Sequence, residues 1–539
     1  MTRGFAGRAA TAMKTVGAGA LVWALAGCGG GGGSASVGTS SGTAIEAATV
    51  LAAQAYEQPA TAVQRLTGEI KARSAAPSAV QAARVALGPL SEAKLLAAAP
   101  LVGARQIGEA RAVERTATPE ALGRVLTWSA TAQGGQVAAL SVSAAGAHGL
   151  RMGVLVDQLP ASAVLRIYRQ DRATAVYEIS AGVVLQAIAR NQQAGDQNDA
   201  ARLWWTPDAG GDEATLEIEL PAGVPASAVQ IAVPQVSHFF ADLSLPTEDE
   251  FALQTKINES QQCNIDASCH DGYAALRNAV ARMIYTSGGK TYVCTGTLLN
   301  DSSSSSTPYF ISANHCISSQ TEASSLQTDW FYRSSSCGSR ALSTSTVKRQ
   351  GGATLLYAAA ATDTSFMRLN DTPPAGAVFA AWDANVHPAS SSVVALHHPQ
   401  GDMLKISFGS ITGQSTCNSV SSTQFSCSGT SGNFYRVSWS QGLTEGGSSG
   451  SPIFRGTAVV GTLYGGSSSC TSASDYYGRF DVAYAAALKN WLAAGNGTGT
   501  PAPTAPAPTA PTTPASSALL QWLNQIQGLQ PVQPGSTLR

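Results

Sequence analysis

The chain has 539 residues, 44% of them hydrophobic and only 12% charged, with a formal net charge of −1. That is length enough for two or three domains with a real hydrophobic core, and the near-neutral balance excludes a protein that holds nucleic acid by neutralising many phosphates. Charge at about half the usual ~25%, with Ser, Thr, Ala and Gly in its place, points to an exported protein. Outside the extreme N-terminus no apolar run reaches the roughly 18 residues of a membrane-spanning helix.

Residues 1–27 read as a signal peptide. Arg3, Arg8 and Lys14 precede an apolar run from Thr15 to Ala26 that is too short to span a bilayer. Leu25-Ala26-Gly27-Cys28 closes it, followed by five glycines. This resembles the bacterial lipobox, which implies that Cys28 carries acyl chains, that it is residue one of the mature protein, and that the protein sits at the outer membrane or cell surface, or is released to the extracellular medium after processing. The plainer reading is an ordinary cleaved signal with an incidental cysteine. Residues 28–43, rich in Gly, Ser and Thr, form a flexible tether.

From 44 to 125 the chain is Ala-rich, has helical spacing and lacks cysteine; it is helical or partly disordered. From 126 to 245 a period-two alternation takes over, in Gln136 to Ser143, Leu150 to Val156, Ala163 to Tyr168, Thr215 to Leu220 and Val229 to Val233. Short alternating strands between turn residues predict a β-sandwich. A further domain spans 257–495. Residues 496–518 are a Pro/Thr-rich, extended linker, and the tail 519–539 places Leu519, Leu520, Trp522, Leu523 and Ile526 at helical spacing but is too short to fold alone.

Nine cysteines less Cys28 leave eight, all between 263 and 470. An even number in an exported chain predicts a disulfide framework and localises one domain.

The chemistry lies in that domain. In Gly446-Gly447-Ser448-Ser449-Gly450-Ser451-Pro452 a serine sits between glycines, where a tight backbone exposes the hydroxyl and aims neighbouring N–H groups at a developing oxyanion. Gly/Ser-rich loops are common in this chain, and alone the run is weak. Tyr292-Val293-Cys294-Thr295-Gly296-Thr297-Leu298 and Tyr309-Phe310-Ile311-Ser312-Ala313-Asn314-His315-Cys316 add two strands, the second delivering a histidine beside a cysteine. Together these strings resemble the chymotrypsin-fold serine peptidases. The resemblance implies a mainly β protein with a two-barrel peptidase domain behind the sandwich, and His315 as general base. Asp363, in Thr362-Asp363-Thr364-Ser365-Phe366, has the polar-then-apolar context of the third member; Asp371 and Asp383 compete with it but lead into no comparable strand. The order His, Asp, Ser is that of chymotrypsin and not of subtilisin or the α/β-hydrolases. In these roles Ser449 attacks a carbonyl, His315 carries the proton, Asp363 fixes the tautomer, and the amides of Gly447 and Ser449 form the oxyanion hole.

A closer resemblance is carried by Cys263-Asn264-Ile265-Asp266, Cys269, His397-His398-Pro399, Thr444-Glu445, Ser448 to Ile453 and Ser474-Asp475 with Tyr477-Gly478-Arg479. Over about 258 to 493 this looks like bacterial lysyl endopeptidase. It implies the disulfides Cys263–Cys470, Cys269–Cys337 and Cys294–Cys316, which leaves Cys417 and Cys427 to pair as an addition. Trypsin-like enzymes carry an Asp six residues before the nucleophile, where this chain has Leu443. The resemblance therefore implies a pocket charged by Asp475 and helped by Glu445, with cleavage after Lys and more weakly after Arg. Gly465 and Gly466 are implied to hydrogen-bond the substrate backbone. Two positions depart from the family: its histidine before the pocket glycines is Tyr464 here, and the tryptophan that partners it has no clear counterpart between 417 and 435.

His397-His398 has no carboxylate or cysteine at ligand spacing, so no metal is expected, nor any other cofactor. The expected partners are protein or peptide substrates, with no nucleic acid and a membrane met through a lipid anchor only, for a monomeric chain. The competing function is a surface binding or adhesion lipoprotein in which the sandwich binds and the peptidase region is accessory or inactive. Lys256, seven residues before Cys263 in the polar run Thr255 to Glu259, makes residues 44–256 a candidate prosegment that the enzyme removes by cutting after Lys256; the alternative is a sandwich retained as a permanent spacer beside the lipid anchor.

Overall fold

The computed structural model describes residues 52–56, 71–73, 80–91, 103–242 and 260–493, apart from 340, 422–423 and 472–473. The signal peptide, Cys28, the tether, Lys256, the linker 496–518 and the tail 519–539 lie outside these residues. The protein is mainly β.

The first body is a two-sheet sandwich. One sheet has the strand order Lys71–Arg73, Arg172–Ser180, Val164–Arg169, Glu213–Leu220, Gln136–Ala144, Ala83–Leu87, its last pair parallel. The other begins Leu203–Trp205, Gly149–Gln158, Gln230–Phe239, Arg105–Ala112. Every second residue of these strands points the same way. Leu140, Val142, Leu165, Ile167, Leu216 and Ile218 of one sheet therefore meet Leu150, Met152, Val154, Ile231 and Val233 of the other in one core. The alternation legible in the sequence is this core. The helix Ala181–Gln193, which no sequence signal marked, adds Ala181, Val184 and Ile188 to it.

The described part of 44–125 departs from the helical or partly disordered expectation. It supplies the strands Ala83–Leu87 and Arg105–Ala112, and only Pro119–Val125, capped by the Thr118 side chain, is α-helical. The two strands are paired into sheets, and pairing with neighbours overrides the helical preference of alanine.

The second body holds two barrels. In the first, Val347–Arg349, Gln327–Trp330, Val280–Ser287, Lys290–Leu299, Tyr309–Ala313, Thr364–Leu369 and Ala353–Ala359 pair in that order. In the second, the long strand Lys405–Ser421 pairs with Ser392–His397 on one side and Phe434–Gln441 on the other. Six strands thereby close on themselves around Val393, Ile411, Tyr435, Val437, Ile453 and Leu463. Between the barrels Tyr309, Phe366, Trp382, Phe454, Phe480 and Trp491 form a shared apolar layer.

The bodies share a sheet. Arg105–Ala112 pairs with Gln230–Phe239 of the sandwich and with Lys290–Leu299 of the first barrel. Gly108 makes this possible, since a Cβ there would lie 2.7 Å from Ser237 Oγ and 3.2 Å from Thr291 Cβ. The disulfides are Cys263–Cys470, Cys269–Cys337, Cys294–Cys316 and Cys417–Cys427. Among the described residues no helix is long and apolar enough to cross a membrane.

Candidate active site

His315 follows the strand Tyr309–Ala313, and Asp363 precedes the strand that pairs with it, Thr364–Leu369. Register alone therefore brings the two together. One carboxylate oxygen of Asp363 accepts from the His315 backbone N–H at 2.9 Å, and the other lies 2.7 Å from its ring Nδ1. Asp363 adopts φ +47°, and its carbonyl accepts from Asn314 N–H. This is a left-handed conformation that an Asp tolerates at modest cost. Asp363 is 2% exposed; burial raises its carboxyl above the usual range, and the neighbouring His315 pulls it back down. The unpaired ring nitrogen of His315, Nε2, is buried and has no hydrogen-bond partner among the described residues. Asp371 instead binds the amides of Gln350 and Gly351, and Asp383 caps Asn385.

Ser449 sits in a turn fixed from both barrels. Its carbonyl accepts from Thr295 N–H of the first barrel, and Gly450 N–H donates to Leu463 of the second. Thr295 Oγ1 donates to the Gly447 carbonyl at 3.0 Å. Gly447 has φ +95°, and a Cβ on it would lie 2.8 Å from the His398 carbonyl. Both facts require glycine there. The pair His397-His398, which carried no assignment in the sequence, braces this loop. His397 lies 2.8 Å from Ser448 Oγ and 3.0 Å from Ser407 Oγ, and His398 Nδ1 lies 2.9 Å from the Asp402 carbonyl. Burial lowers both imidazoles to about 3, so they are neutral posts. Cys294, His315 and Cys316 offer three ligand-type atoms close together, but the two sulfurs are bonded to each other and neither is a thiolate.

Asp475 is fully buried. Its carboxylate accepts from Trp439 Nε1 at 2.5 Å, Thr444 Oγ1 at 2.8 Å and Ser468 Oγ at 2.7 Å. Burial raises its carboxyl and the three donors pull it down. Of these donors only Thr444 stood in a string singled out in the sequence; Trp439 and Ser468 come from separate segments and carried no signal there. Gly466 pairs with Asp475 and Gly465 with Tyr476 across the neighbouring strand. At Gly466 a Cβ would collide with the Asp475 carboxylate.

Glu445, next in sequence to the Asp475 donor Thr444, is bonded to the start of the domain. It accepts from Gln261 N–H at 2.9 Å and Asn264 Nδ2 at 2.6 Å, and so anchors the start of the domain near Cys263–Cys470. Tyr464 stands with its ring centroid 6.0 Å from that of His315. The aromatic partner that the sequence did not reveal is Phe425, 4.4 Å from Tyr464, with Phe434 at 5.0 Å. Phe425 lies on the hairpin formed by Lys405–Ser421 and Gln424–Ser428, closed by Cys417–Cys427.

Comparison with known proteins places this geometry in a family. Residues 257–478 match the model of the lysyl endopeptidase C-terminal domain, and residues 78–240 match that of the lysyl endopeptidase N-terminal domain. The lysyl endopeptidase of Pseudomonas aeruginosa is 33% identical over 392 residues, 69% of this chain and 78% of that protein. The secreted RxLR effector protein 73 of Plasmopara viticola is 30% identical over 221 residues, 39% of this chain and 51% of its own length. Among solved structures, the HtrA-type protease AlgW with tripeptide aligns at 13% identity and a TM-score of 0.29, covering 40% of this chain and 60% of its own. The two domain matches, in the order in which the sandwich and the barrels occur, together with the Pseudomonas relative, make this chain a member of the lysyl endopeptidase family and a serine endopeptidase.

Proposed function

We propose that Ser449, His315 and Asp363 form the catalytic triad and that the enzyme cleaves protein substrates after Lys, more weakly after Arg. The observation that carries the specificity is Asp475: a fully buried carboxylate whose three donors are neutral side chains and none a cation. Such a carboxylate is costly in an apolar wall and gains most from a compact ammonium brought by substrate. The guanidinium of Arg, which seeks planar bidentate contact, is served less well. Ser449 attacks the carbonyl carbon after that residue. His315 Nε2, the ring nitrogen facing away from Asp363, takes the serine proton and returns it to the leaving amine, while Asp363 holds the opposite nitrogen and stabilises the imidazolium. The amides of Gly447 and Ser449 stabilise the oxyanion, each worth about 2.7–4 kcal/mol in this class of site. Four disulfides fit an exported protein, and Cys28 is the proposed lipid anchor at the outer membrane or cell surface.

The test is profiling of the processed enzyme on a peptide library beside Ser449→Ala. Turnover after Lys, absent from Ser449→Ala, is expected. Cleavage by the wild type after aromatic or small residues would overturn the pocket assignment. Fluorophosphonate labelling that persists in Ser449→Ala would overturn the nucleophile.

A further inference from the structure

The Gly447 amide proposed for the oxyanion hole already has a partner. It donates to the carbonyl of Gly103 at 3.2 Å. Gly103 precedes the strand by which the sandwich joins the first barrel, and it lies against the catalytic ring: a Cβ built on it would be 3.8 Å from His315 Nε2 and Cδ2. Two residues further on, Arg105 pairs with Val293 and Gln106 with Tyr292, antiparallel, beside Cys294. The Arg105 guanidinium donates to the Gln400 carbonyl, and Gln400 N–H donates to Gly446 at the back of the oxyanion turn. Ile107, fully buried with Phe239, Ile284 and Val293, pins the strand from the other side.

We infer that the edge Thr291–Val293 and the Gly447 amide together form a docking surface for an extended peptide, and that the segment 103–108 of this chain is its resident occupant and blocks the enzyme. The segment lies as a substrate's leaving half would, with the carbonyl of residue 103 where the attacked carbonyl belongs and residue 104 as leaving amine. This rests on the assignment of Gly447 and Ser449 to catalysis.

Glycine at 103 explains why the occupant survives. It brings no side chain for Asp475 to hold. Its φ of +119° is a conformation that L side chains rarely adopt, and a side chain attached in it would be aimed at His315 rather than into the pocket. The backbone fills the hole without presenting the residue that commits the enzyme to acylation.

The experiment uses the full-length chain carrying Lys256→Gln, kept intact as judged by mass, and a small fluorophosphonate as probe of Ser449. Labelling of this chain is expected to be about tenfold or more slower than that of the processed enzyme, in proportion to the fraction of open clefts. Adding Gly103→Ala, which disfavours the positive φ, is expected to speed labelling several-fold. Adding Gly103→Lys, which drives residue 103 out of the positive φ and lets the segment rebind in ordinary extended backbone with its ammonium on Asp475, is expected to turn the occupant into a substrate: water cleaves the 103–104 amide, its hydroxyl going to the residue 103 carbonyl and its proton to a new amino-terminus at Ala104. That cut should vanish with Asp475→Asn. Labelling as fast in the intact chain as in the processed enzyme, or unaffected by Gly103→Ala, overturns the inference. So does an uncut Gly103→Lys chain if the processed enzyme cuts Lys peptides. If the processed enzyme does not cut Lys peptides, the specificity reading is what has failed, and the labelling arms still decide the occupant.

Discussion

Asp475 carries two opposed demands. Its carboxyl is raised by burial, so the folded state binds a proton there more tightly than the unfolded chain, whose carboxylates titrate near 3.9. Linkage fixes the sign: stability is lost as pH climbs from the unfolded value through the raised folded one. Asp475→Asn removes that loss. Its melting temperature is expected to gain on the wild type as pH rises from about 4 to neutrality, read by parallel thermal melts across pH. The same change should lower kcat/KM for Lys peptides by about a hundredfold or more, the scale of breaking one partner of a buried ion pair. An Asn variant that melts lower than the wild type at neutral pH and not at low pH would reverse the sign and refute the account. On the proposed specificity, the residue gives up stability for recognition. Glu445 shows the other possibility: a carboxylate at the position expected to help the pocket holds the Gln261 and Asn264 segment in place.

At the scale of elements, the hairpin bearing Phe425 supports the site from outside the barrel. Phe425 and Phe434 pack on Tyr464, which in turn faces the His315 ring. An aromatic pair contributes about 0.5–1.5 kcal/mol beyond its buried area, so Phe425→Ala is expected to lower kcat/KM by roughly two- to twelvefold with the triad intact. Phe425→Tyr should retain activity. Steady-state kinetics check both, and a Phe425→Ala enzyme equal to the wild type would leave the hairpin without a catalytic role. This contact shows where sequence reading stopped. His315, Asp363 and Ser449 stood out because each lies in a short string whose local chemistry has a reason. Phe425 sits in a polar run of Ser and Gln, and its partner Tyr464 is distant in sequence and met only through strand pairing. The sandwich was legible for a similar reason: a period of two survives in Leu140, Val142 and Leu150, Met152, Val154 because one face of each sheet is buried. Arg105–Ala112 was not, since its identity as a strand is decided by the two neighbours that flank it and its own composition is rich in Ala and Arg.

For the whole molecule, the sandwich covers the peptidase through well-paired polar contacts. Arg151, buried in the sandwich, donates to Thr286 Oγ1 at 3.0 Å and to the Ser325 carbonyl at 2.9 Å. Ser324 Oγ donates to Asn191 at 2.7 Å, and Ser237 and Thr291 hydroxyls meet at 2.8 Å. We propose that the enzyme removes this cover by cutting after Lys256, a Lys-directed peptidase acting on its own chain. Sequencing the N-termini of wild type and Ser449→Ala expressed in parallel checks this. Processing at Lys256 is expected in the first alone; identical processing of both in a host lacking other peptidases would exclude self-removal. Cys263–Cys470 then keeps the new N-terminus joined to the second barrel.

Because one continuous sheet runs from the sandwich into the first barrel, breaking the covalent chain does not break the ladder. On the proposed cut after Lys256 and the proposed occupancy of the cleft by residues 103–108, scission and activity are separate events in time. After the cut, the noncovalent complex persists until the Arg105–Ala112 strand peels from its partner, and activity emerges as a first-order lag whose half-time is set by that off-rate. The half-time of that dissociation is independent of enzyme concentration, and an excess of the detached fragment inhibits the freed enzyme. The sheet that orders the molecule is, in this sense, its timer.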